Sequence, residues 1–133
     1  MGRGKFEIEV NDAGNISVNI ELQDGTVWLT KHDIASQFCI FVPAVTANLL
    51  AIFKSRELFE ADGMKLNRFT RRKGETASID LYNLDVLIAL SFRMNGAICK
   101  KFRIWVQEKI KQSIVQHHKM PVIIQLGNTF LPC

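Results

Sequence analysis

At Thr30 the spacing of apolar residues changes, and that change limits what this chain can build. Before it, residues 5–10 alternate apolar and charged side chains, and residues 16–22 place Ile16, Val18, Ile20 and Leu22 on one face. A period of two is the signature of half-exposed strands. The stretches NDAGN (11–15) and QDGT (23–26) supply turn residues, and Val27-Trp28-Leu29 reads as a short third strand. The expectation is a small antiparallel N-terminal sheet, folded as a meander.

From Thr30 onward the spacing is helical. Thr30 is a good N-cap and Asp33, three residues on, approximates a capping box. The spacing predicts a helix to about Phe38, with Ile34, Ala35 and Phe38 inward. Pro43 suits the first turn of a second helix, where its missing N–H costs nothing. Val45, Leu49, Ile52 and Phe53 then follow helical spacing. Two short helices joined through Cys39-Ile40-Phe41 match helix-turn-helix geometry, although the turn holds no glycine.

After a connector at 55–63, residues 64–82 read as a β-hairpin with Ile79 and Leu81 inward. Its turn region, RFTRRKGE, gathers Arg68, Arg71, Arg72 and Lys73 beside Gly74. A basic hairpin following a helix-turn-helix is the layout of a winged helix, in which the wing touches phosphates while a helix approaches a groove. Asn83 caps a helix from Leu84 to about Met94 that is apolar almost all round, so it is expected to be buried. Asn95-Gly96 breaks it. A longer helix over 97–116 turns Ile98, Phe102, Trp105 and Val106 inward and places Lys100, Arg103, Gln107 and Lys111 opposite. The fold class expected is α+β: the N-terminal sheet, a winged helix-turn-helix-like core and two packed C-terminal helices. One domain spans residues 1–119, followed by an apolar tail at 120–133.

Composition supports one domain. The chain has 133 residues, 47% of them hydrophobic, enough for a single core. Its net charge of +4 hides an asymmetry: residues 1–62 carry 5 Lys/Arg against 9 Asp/Glu, and residues 63–133 carry 12 against 4. A basic half suggests a surface that faces a polyanion. Cys39, Cys99 and Cys133 are odd in number and widely spaced, which fits a reducing compartment better than a disulfide framework. No apolar run approaches a membrane span and the N-terminus lacks the apolar stretch of a signal peptide, so a cytoplasmic protein with no membrane partner is expected.

The histidines are His32, His117 and His118, and no further ligands sit at metal-binding spacing around them. No P-loop, dinucleotide-binding loop or nucleophile elbow is present. Cys39 and Cys99 read as small buried hydrophobes. Neither an enzyme, a cofactor nor a small-molecule substrate is expected.

The segments VWLTKHDIASQF (27–38), NLLAIF (48–53), YNLDVLIALSFR (82–93) and KFRIWVQEKI (101–110) resemble the N-terminal domain of the RhuM-type virulence protein family. The similarity spans about three quarters of the chain. Members are bacterial proteins often carried on mobile or pathogenicity-associated elements. Their N-terminal domain looks like the DNA-binding modules of phage antirepressors of the Bro-N and KilA-N types. The resemblance implies a regulator that binds duplex DNA. One departure matters: the stretch matching the recognition helix, VPAVTANLLA (42–51), has no charge. Arg68, Arg71, Arg72 and Lys73 are then the leading phosphate contacts. Lys100, Lys101, Arg103 and Lys111 are further ones, and Thr46 and Asn48 are the base contacts available. Helix-turn-helix proteins commonly bind as pairs, so a homodimer is expected. The alternative is a protein-interaction or oligomerisation module on the same scaffold, using the exposed apolar stripe Phe41, Val42 and Leu50.

Overall fold

The computed structural model describes residues 2–116. The tail at 120–133, with His117, His118 and Cys133, lies outside the described residues. The elements run β1 (Lys5–Val10), β2 (Ile16–Glu21), β3 (Trp28–Leu29), α1 (Lys31–Phe38), α2 (Val42–Lys54), α3 (Glu60–Gly63), β4 (Met64–Thr70), β5 (Thr76–Asn83), α4 (Leu84–Arg93) and α5 (Ala97–Gln116). The fold is mixed α+β. Two compact units divide the chain within α5, Met1–Arg103 and Ile104–Cys133.

In the first unit β1 and β2 pair antiparallel, Phe6 opposite Ile20 and Val10 opposite Ile16. The expected meander stops there. β3 does not add to this ribbon; it pairs with β5, Trp28 opposite Asn83 and Leu29 opposite Tyr82, in a second sheet of order β3-β5-β4. The cause is burial. Val27 and Leu29 are buried, whereas β2 alternates between half-buried and exposed residues. A short apolar strand finds cover beside β5 that an exposed ribbon cannot give.

Thr30 and Asp33 form the anticipated capping box. The Asp33 N–H donates to Thr30 Oγ1 and the Thr30 N–H to Asp33 Oδ2, both at 3.1 Å. α1 ends without glycine because Cys39 adopts the left-handed conformation (φ 54°). The Ile40 N–H donates to the Ala35 carbonyl at 2.9 Å and the Cys39 N–H to that of Ser36, which closes a Schellman-type C-cap. α2 starts with Pro43 in its first turn, and the axes of α1 and α2 turn through 113°. That angle lies within the helix-turn-helix range. Val45, Leu49 and Ile52 are the buried residues of α2.

The connector holds the short α3, which the sequence did not signal. It ends at Gly63, where an added Cβ would stand 2.5 Å from Val86 Cγ2, so this position needs the bare backbone. Asn83 caps α4 as anticipated: its Oδ1 accepts from the Val86 N–H, and its Nδ2 donates to the Asp62 carbonyl at 2.8 Å. α4 is not buried all round. Val86, Leu87 and Leu90 are buried, but Phe92 is 50% exposed and lines an open groove with Glu57, Leu58, Asp85, Ile88 and Ala89. Packing uses one stripe of the helix and leaves the other to solvent.

The core includes an aromatic cluster. Phe6 of β1, Phe38 of α1 and Phe102 of α5 meet with centroids 5.4–6.1 Å apart, two of the three pairs edge to face. Each such pair adds about 1 kcal/mol beyond area burial. The Ile8 N–H also donates to Gln37 Oε1 at 2.8 Å, tying β1 to α1. Tyr82 is buried, and desolvation, aided by Asp80 and Glu60, pushes its phenol up to about 12. In the second unit Val106 is buried, the Lys109 ammonium lies 5.6 Å from the Trp105 ring centroid, and Lys111 pairs with Glu108 at 3.5 Å. Among the described residues no single helix is long and apolar enough to cross a membrane.

Candidate nucleic-acid interface

The β4–β5 hairpin is an uninterrupted ladder from Met64 opposite Tyr82 to Thr70 opposite Thr76. Its turn is closed by the Arg71 N–H donating to the Glu75 carbonyl at 2.7 Å and the Gly74 N–H to the Arg71 carbonyl at 3.0 Å. Gly74 takes φ 76°, the left-handed position that a three-residue hairpin loop of this type requires. That geometry puts Arg72 and Lys73 at the tip, with Arg71 at the last closed pair. Arg68 sits three residues down β4 opposite Ser78. All four cations are exposed.

The ion pairs found among the described residues join Lys5 to Glu7, Arg93 to Glu57 and Lys111 to Glu108. None of these involves Arg68, Arg71, Arg72 or Lys73; the turn's own carboxylate is Glu75, paired through backbone with Arg71, and the loop keeps a net positive charge. The base of the hairpin is held by Lys65, whose ammonium lies 4.3 Å from the Trp28 ring centroid, across β5. Such a contact is worth about 0.5–1 kcal/mol.

α2 presents a different surface. Phe41, its N-cap, is 86% exposed and Leu50 is 66% exposed, with Pro43 and Ala47 exposed between them and Val42 half-buried. Thr46 and Asn48 are half-buried. The Asn48 amide nitrogen donates to the Ala44 carbonyl at 2.8 Å, so one of its donors is already engaged within the helix.

The basic residues of α5 do not form one set. Lys100 is exposed. Lys101 is half-buried and reaches the β1–β2 turn, its Nζ 3.1 Å from where a Cβ on Gly14 would stand. Arg103 donates from Nη1 to the carbonyls of Ser91 and Met94, the latter at 3.1 Å, and so caps the end of α4. Sequence spacing put Arg103 on a solvated face; the open carbonyls of the preceding helix claim it instead. In the second unit Lys111 is exposed beside Glu108.

Arg93, not singled out from sequence, bonds Glu57 at 2.9 Å and reaches the Ser55 hydroxyl, fixing the connector to α4. Cys99 is buried, and burial raises its thiol to about 11; Cys39, expected to be buried, is exposed, because the left-handed turn carries its side chain outward. His32 lines a shallow cleft with Thr30, Lys31 and Asp80. Among the described residues no three His, Cys, Asp or Glu side chains gather as a metal site would require. No known family model, curated protein or solved structure matches this chain.

Proposed function

We propose that this chain is a winged helix-turn-helix protein that binds double-stranded DNA as a homodimer, mainly through phosphates. In line with the RhuM-type resemblance, it would act as a bacterial regulator carried on a mobile element. The observation that carries the reading is the hairpin turn with its four exposed cations, none of them in an ion pair among the described residues. The strand order β3-β5-β4, together with a helix pair bent by 113°, supports the winged-helix reading, since a wing needs a third strand to anchor it. Arg68, Arg71, Arg72 and Lys73 would neutralise phosphates. Each phosphate neutralised releases counterion, so the log of affinity falls against the log of salt with a slope of about −0.9 per contact.

Fluorescence anisotropy with random duplex DNA over a salt series tests this. Four contacts predict a loss of about a hundredfold between roughly 50 and 200 mM salt. Absent or salt-insensitive binding, with a stable dimer by size-exclusion chromatography, would select the second reading: a protein-interaction module. The uncharged, exposed apolar face of α2 favours that alternative.

A further inference from the structure

The wing gives a reason to bind any duplex; α2 gives a reason to prefer some. We propose that the exposed face of α2 reads the C5-methyl groups of thymine in the major groove. The inference rests on the DNA-binding reading above and deepens it.

Helices that read bases through hydrogen bonds most often use Arg, Lys, Asn or Gln, less often Ser, Thr, Asp or Glu. α2 has no charged side chain before Lys54, Thr46 is half-buried, and the amide nitrogen of Asn48 is turned back on Ala44. What it offers along its exposed side is Pro43, Ala47 and Leu50, at i, i+4 and i+7, with the exposed Phe41 at the N-cap ahead of them. Apolar contact, by Ala, a Thr methyl or Phe, is how a protein reads the thymine methyl. Phe41, the most exposed of these, stands at the N-terminal end, the end that meets base edges in helix-turn-helix complexes. Ala47 keeps the middle of this side slim, so the backbone can approach the groove floor.

Charge fits the same occupant. α2 carries no carboxylate, so entering a phosphate-lined groove meets no like-charge repulsion from the helix itself. The four exposed cations of the hairpin, in no ion pair among the described residues, supply attraction.

The probe is a pair of random-sequence duplex pools, one with thymine and one with deoxyuridine in its place, titrated by anisotropy at one salt concentration. Deoxyuridine removes only the methyl groups and leaves the protein untouched. The uracil pool is expected to bind roughly fourfold more weakly for each methyl contacted. Leu50→Ala and Phe41→Ala, both at exposed positions, should narrow the gap, whereas Arg71→Ala should weaken both pools equally. Placing 5-methylcytosine for cytosine in the uracil pool should restore part of the lost affinity.

Equal binding of both pools would overturn methyl reading and leave phosphate binding standing. No binding of either pool would remove both. A gap that persists in Leu50→Ala and Phe41→Ala would assign the preference to another element. A change of oligomeric state in those variants, with the gap intact, would make α2 a chain-to-chain contact and overturn the proposal.

Discussion

At the tip of the β4–β5 hairpin three consecutive residues, Arg71, Arg72 and Lys73, carry positive charge in the open. Along α2, thirteen residues pass with one charge, Lys54, at the far end. The two regions face solvent with opposite chemistry. Charge acts over about 8–10 Å in physiological salt and does not distinguish one phosphate from the next. Apolar contact acts only on touching and distinguishes a methyl from its absence. Attachment and selectivity can therefore sit on separate elements and be altered separately.

The largest expected effect is on attachment. Replacing Arg71 and Arg72 together by alanine should make the log–log salt slope shallower by about two and cut affinity on the order of tenfold to a hundredfold at moderate salt. Retention of the full slope in that variant would break the contrast at its stronger side. Arg103→Ala asks whether α5 sides with the hairpin. Losing its bonds to Ser91 and Met94 should cost about 2–3 kcal/mol in urea unfolding, with the salt slope unchanged. A slope reduced by about one would instead place Arg103 on the phosphates.

Tyr82 sits at the foot of the hairpin and gives a pH test of that element. Its phenol titrates at about 12 in the fold against an ordinary 10.0. The unfolded chain loses this proton first, so the stability is complete below about 10 and drains away as pH rises through about 12. Tyr82→Phe should remove this part of the alkaline decline in unfolding free energy; Cys99, raised to about 11, adds a separate part. An unchanged decline would show that Tyr82 is not shielded.

Gly74→Ala should destabilise by about 1–2 kcal/mol, from its left-handed backbone alone, because nothing lies within 4 Å of an added Cβ. Thermal unfolding measures it, and a null result would mean that the loop does not hold its cations in a fixed frame. The smallest effect lies at the turn into α2. Cys39→Gly should stabilise by about 0.4–1 kcal/mol, relieving the strain at φ 54° and leaving DNA affinity unaltered.

Much of this architecture was legible in sequence because its signals are local. The Thr30 capping box, Pro43, the Asn83 cap and the Asn95-Gly96 break each act within a turn or two of helix, and the element boundaries follow them. What was not legible depends on distant chain. β3 pairs with residues more than fifty positions away, and nothing in Val27-Trp28-Leu29 names β5 as its partner. Arg103 could be assigned to α4 only once the end of that helix lay within its reach. The turn at Cys39 was hidden because a non-glycine residue holds a glycine conformation. At the candidate site, the four hairpin cations were readable as a charge run; that none of them forms an ion pair among the described residues was not, since any of the chain's acidic residues was a possible neighbour.

Phe6 makes the opening ribbon part of the domain's foundation. Its ring completes the cluster with Phe38 and Phe102. A chain trimmed to begin at Trp28, as though the first hairpin were dispensable decoration, would uncover one helix of the bent pair and the root of α5 together. An emptied phenylalanine site costs about 3–5 kcal/mol, a large share of what a domain this size has in reserve. Any search for a minimal working fragment should start its numbering at the ribbon.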